Sequence, residues 1–115
     1  MSATAIRQAK RWYWQRISAM VLTLCVVGHL AVMIHAVRGG LTGEEILSRT
    51  QGSIGFGVFY TVFVLACAVH VPAGVTNIAV EWLGLSDESA TWLGRAFALL
   101  LVVTGLRAVF AVVAA

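Results

Sequence analysis

An all-α membrane protein, with three transmembrane helices in an up-down-up bundle and a cytoplasmic N-terminus, is the fold class that the sequence predicts. Three observations predict it. Of 115 residues, 60% are hydrophobic and only 11% charged, whereas soluble domains carry about a quarter charged residues. The charges fall in short clusters that leave three long apolar intervals, each meeting the roughly 20 residues needed to cross a ~30 Å hydrocarbon layer. The basic residues are shared unequally between the two sides that those intervals define. With a mean hydropathy of +0.90, the chain reads as one transmembrane domain over 1–115, with spans at about 17–38, 54–80 and 91–114. Almost nothing is left over for a soluble catalytic domain.

The first element is a basic tail over residues 1–15, readable as an amphipathic entry helix, which carries Arg7, Lys10 and Arg11. Trp12, Tyr13 and Trp14 interleave with these charges, as aromatic belts do at a membrane border, so the expected partner is lipid and not nucleic acid. A cleaved signal peptide would have an apolar run of about 7–15 residues, and the run that follows is longer. Span 1 opens with small or polar Ser18, Ala19 and Thr23, which permit close helix contacts. The loop over 38–53 holds Gly39, Gly40, Gly43 and Gly52, and Thr42-Gly43-Glu44-Glu45 can start a short helix there.

Span 2 follows, and the loop over 81–95 offers Ser86 as an N-cap for the helix of span 3. Arg7, Lys10, Arg11, Arg16 and Arg95 make five basic residues on one side, against Arg38 and Arg49 on the other. The positive-inside rule then puts the N-terminus in the cytoplasm, and the cell inner (plasma) membrane is the expected location. Cys25 and Cys67 both fall inside spans without metal or CxxC spacing, which suits a small apolar role.

Ionisable groups within apolar spans are costly enough to be functional candidates. His70 is eleven residues before Glu81, about 16 Å at the helical rise, which predicts a position near mid-membrane. An imidazole there needs a partner, and haem iron is one. Ala66, Cys67, Ala73 and Gly74 share its face, leaving a flat surface for a porphyrin or another helix, and Pro72 removes a helix hydrogen bond nearby. Spacing alone leaves a haem ligand and a hydrogen bond across a helix contact equally open. His29 is thirteen residues past Arg16, about 20 Å by the same rise, and packing is its plainer reading. His35 lies near the end of span 1, where it can be solvated or handle protons. Arg107 can snorkel from span 3 towards a propionate or a lipid phosphate. His70, Asn77 and Glu81 recur at seven and four residues, a polar track on one helix face that could carry protons or hold a quinone headgroup.

At this point a pattern emerges. The run Gln15-Arg16-Ile17-Ser18-Ala19-Met20-Val21-Leu22-Thr23-Leu24 resembles the start of the first helix in the small anchor subunits of succinate dehydrogenase. His70-Val71-Pro72-Ala73-Gly74, followed by Glu81-Trp82, resembles their second-helix motif. The resemblance implies that His70 is an axial haem b ligand. It also implies that Arg16 lies near the quinone pocket or a haem propionate, facing the iron-sulfur subunit. Glu81-Trp82 stands where those subunits usually have an aspartate-tyrosine pair, and an indole N–H donates but does not accept a hydrogen bond. Val27-Gly28-His29-Leu30 is similar to the first-helix ligand motif of the five-helix, two-haem cytochromes b of fumarate reductases. That second resemblance implies His29 and His70 as ligands at two sites completed by a second anchor chain, either a related subunit or a copy of this one.

The expectation is therefore an electron-relaying anchor, with dicarboxylate chemistry held by a flavoprotein subunit and its iron-sulfur partner. Arg16, Trp12 and Trp82 are the quinone candidates. The alternatives are a haem-free quinone-binding anchor, or a small transporter or structural subunit in which His29, His70 and Arg107 line a polar path.

Overall fold

Each helix begins on a hydroxyl side chain that accepts a hydrogen bond from a backbone N–H three residues on. Such an N-cap satisfies one of the amide donors that a helix start leaves unpaired. Ser2 caps α1 (Ala3–Gly39), Thr42 caps α2 (Gly43–Thr50), Ser53 caps α3 (Ile54–Glu81) and Ser86 caps α4 (Asp87–Val113). The computed structural model describes residues 2–114 of the chain. The Ser86 cap and the short helix begun at Thr42 are as the sequence predicts. At Thr42 the box is reciprocal, since the Glu45 carboxylate accepts from the Thr42 backbone N–H at 2.9 Å. Gly40, at φ 116°, ends α1 with its N–H on the Ala36 carbonyl at 2.8 Å.

Three of the helices, α1, α3 and α4, are long and apolar enough to cross a membrane. Their outward faces carry large apolar side chains such as Leu24, Ile54 and Leu99, each at least two-thirds exposed. A helix that is apolar all round suits lipid on its outer side. The buried residues are small: Cys25, Ala36, Ala66, Ala79 and Ala90, with Ser18, Thr50 and Thr76. Close backbone approach over small residues is how helices associate when lipid leaves no hydrophobic drive between them.

The basic tail is not a separate element. Residues 3–16 are continuous with span 1 in one helix of 37 residues, about 55 Å at the helical rise, and the molecule is 53 Å long. α4, the helix of span 3, likewise starts at Asp87, a turn before the predicted span. α3 is central, sharing a larger interface with α4 and a smaller one with α1, while α1 and α4 scarcely touch. Contacts run in opposite chain directions across both seams. Ser18 meets His70 and Gly28 meets Phe59 between α1 and α3. Thr76 meets Ala90, and Val64 meets Gly105, between α3 and α4. α2 lies across one end, where the Thr50 hydroxyl donates to the Val112 carbonyl at 2.6 Å.

This register sets the level of His70 relative to the charges on its neighbours. Counted along α3 from Glu81 it is deep, but its neighbour on α1 is two residues past Arg16, and Pro72, two residues on, abuts Gly94 beside Arg95. Two cations on flanking helices thus sit within about one 5.4 Å turn of its level. His70 thus lies at the level of Arg16 and Arg95, and the last three turns of α3 extend beyond it alongside the charged starts of α1 and α4.

Candidate functional site

His70 projects from α3 towards α1, half-buried, with Nδ1 3.3 Å from Ser18 Oγ. Ser18 is 5% exposed, and its hydroxyl also reaches the Gln15 carbonyl one turn back at 3.1 Å. Nε2 of His70 makes no hydrogen bond among the described residues and is not among the buried unpartnered atoms. It therefore keeps an accessible lone pair or N–H. Ala66 is buried, Cys67 and Ala73 are half-buried, and a Cβ added at Gly74 would meet nothing within 4 Å. The surface one turn along from the imidazole is open.

That donor set fits an axial haem ligand. One nitrogen is tied to the protein, as ligating histidines usually are, and the other has no hydrogen-bond partner among the described residues. Among the described residues no three His, Cys, Asp or Glu side chains converge. A histidine holding haem iron would need no such cluster.

His29 belongs to a different place. It stands eleven residues beyond Ser18 on α1, about 16 Å along the axis, with its ring edge-on to Tyr60 at 6.1 Å and to Phe63 at 5.7 Å between centroids. Its Nδ1 is buried with no hydrogen-bond partner among the described residues. Cavities of about 320 and 440 Å³ meet at His29, Ile46, Thr50 and Tyr60 beneath α2. His29 and His70 are too far apart to share one iron. His35 is exposed at the edge of the larger cavity, near Arg49, whose Nη2 donates to the Gly40 carbonyl at 2.6 Å.

The quinone candidates are not gathered in one pocket. The Arg16 guanidinium stacks over the Trp12 ring at 5.3 Å, and both side chains are exposed. Trp82 caps the far end of α3 at 82% exposure, twelve residues from His70 and so about 18 Å along the axis. The track from half-buried His70 through exposed Asn77 and Glu81 leads out along that same end. Arg107 is exposed on the flank of α4, beside Val103 and Phe110.

No family model, curated protein or solved structure matches the chain.

Two features are absent from the sequence reading. Ser18 is more than a small spacer, since it is the partner of His70. Arg7 and Arg11 of α1 also line a cleft of about 370 Å³ with Asp87, Glu88 and Arg95 of α4, between the starts of the two helices. Only the second had a sequence signal, in the opposite charges of the tail and the second loop.

Proposed function

We propose that this chain is the haem b- and quinone-binding anchor of a succinate dehydrogenase or fumarate reductase complex. In this reading it crosses the inner membrane three times, up-down-up, with its N-terminus cytoplasmic. The observation that carries it is the pair of His70 nitrogens: Nδ1 engaged by Ser18, and Nε2 free beside an open small-residue surface. The motif resemblance names the same histidine.

His70 would hold the iron, and a bound haem would supply a one-electron carrier between the iron-sulfur subunit and quinone. The chain's own residues position that carrier. Ser18 orients the imidazole, and Arg16 stands within a turn of its level, where a guanidinium offers paired donors to a propionate or a quinone carbonyl. Arg16 and Trp12 together form the nearer quinone candidate, and Trp82, out at the tip of α3, the more distant one. His29 is the candidate ligand of a second iron. With one histidine at each level, a second anchor chain, related or identical, would have to supply the remaining ligands. The flavoprotein would hold the dicarboxylate.

A transporter reading has less support, since Arg107 flanks α4 while His29 and His70 lie about 16 Å apart on the α1–α3 side. The test is a pyridine haemochrome assay on the detergent-purified complex, normalised to this chain. If the second anchor is a copy of this chain, haem b at one half per chain supports His70 as a shared ligand and one per chain supports both histidines; with a related subunit the same two outcomes are one and two per chain. None would leave a haem-free quinone anchor and sink the electron relay.

A further inference from the structure

The contact between Ser18 and His70 settles more than proximity, because a serine hydroxyl has one proton and two lone pairs. Two arrangements can be drawn for the three groups. In the first, Ser18 gives its proton to the Gln15 carbonyl at 3.1 Å and accepts the Nδ1–H of His70 at 3.3 Å. Both hydrogen bonds form, and what remains on His70 is an unprotonated Nε2. In the second, Ser18 gives its proton to Nδ1, its bond to the Gln15 carbonyl is lost, and Nε2 carries an N–H with no acceptor among the described residues. The first makes one more bond and strands no donor. Burial of Ser18 at 5% exposure keeps solvent from levelling the difference, since polar groups withdrawn from water gain most from being paired.

We infer that Ser18 is a positioning residue that holds His70 in the Nδ1–H tautomer and leaves the Nε2 lone pair directed away from α1, ready for a metal. This inference rests on the proposed haem site for its purpose. The tautomer itself is a property of the chain without haem. The relay runs entirely through α1, from the Gln15 carbonyl through Ser18 Oγ to the ring, so α1 sets the protonation of a ligand carried by α3. Fixing the ring by its second nitrogen also fixes the plane of the imidazole, and the strengthened N–H bond makes Nε2 the better donor.

The experiment has two arms. In the first, the full-length chain with ring-¹⁵N-labelled histidine is placed in phosphatidylcholine bilayers without haem, at a pH where the imidazole is neutral. The His70 resonances, identified by their loss in His70→Ala, should show a protonated Nδ1 and a bare Nε2. Ser18→Ala should shift the tautomer ratio by about fivefold towards Nε2–H, the worth of one hydrogen bond, and Ser18→Thr, which keeps the hydroxyl, should restore it. A proton on Nε2 in the wild-type chain, or a ratio indifferent to Ser18→Ala, overturns the inference whatever the complex binds.

In the second arm, the intact complex should lose haem affinity about 10- to 100-fold in Ser18→Ala, the usual effect of removing a ligand's supporting partner. It should recover that affinity in Ser18→Thr, with the haem midpoint potential raised in the alanine variant and restored in the threonine one. A wild-type complex without haem overturns the cofactor reading, and with it the purpose assigned to Ser18, while the first arm still decides the tautomer.

Discussion

Gly94 of α4 lies so close to Pro72 of α3 that a Cβ built on it would stand 2.9 Å from the Pro72 carbonyl oxygen, and 2.7 Å from Thr76 Oγ1. Pro72 has no N–H to give the Ala68 carbonyl, yet α3 continues through it. The adjacent turn is locked instead by Thr76, whose hydroxyl donates to the Ala90 carbonyl at 3.3 Å. The helix is braced from outside at the point where its own ladder is weakest.

Gly94→Ala should therefore push α4 off α3 and cost about 1–3 kcal/mol, as overpacking a tight contact does. Thermal unfolding in detergent is the measurement. Unchanged stability would mean that the seam tolerates the methyl group and is looser than its geometry.

On the proposed function, His70→Ala in the complex should abolish the dithionite-reduced haem b spectrum. Succinate oxidation by the soluble subunits with an artificial acceptor should persist, because no dicarboxylate site is assigned to this chain. An unaltered spectrum would remove His70 from the iron.

His29→Phe should stabilise the haem-free chain. The ring already packs edge-on against Phe63, and the substitution removes a buried nitrogen without a partner, whose burial costs about 1–3 kcal/mol. A fall in the melting temperature would show that the imidazole has a partner it keeps.

The Glu45 carboxyl is held below its ordinary value, chiefly by the hydrogen bond from the Thr42 backbone N–H, then by the Thr42 hydroxyl, with Arg49 adding a favourable charge. Because the folded value is the depressed one, the cap contributes fully above the ordinary carboxylate range. It is lost as pH falls through the lowered value. Amide exchange at the start of α2 should accelerate over that acidic window in the wild type and show no such step in Glu45→Gln.

The three apolar helices and the Ser86 and Thr42 starts were legible in sequence, because hydropathy and capping are local signals. The level of His70 was not. A charge-free run along α3 reports distance from Glu81 but says nothing of where neighbouring helices carry their charges, and Arg16 and Arg95 lie nearer. Ser18 was hidden for the same reason: its partner is 52 residues away, and a serine early in a span reads equally well as a spacer. Arg16, Trp12 and Trp82 look like one group when all are assigned to a single membrane edge, but the length of α3 beyond His70 separates them.

The unequal seams of α3 have a consequence for biogenesis. The α3–α4 hairpin has the larger shared surface and a short connection, so it can assemble as a unit, while α1 adds to it across the thinner contact. Elements held by fewer contacts open first, which makes α1 the last strut in and the first out. Any group that clasps His70 and its α1 neighbours together would act as a late assembly latch, and a chain lacking it would present a loose α1 to quality control.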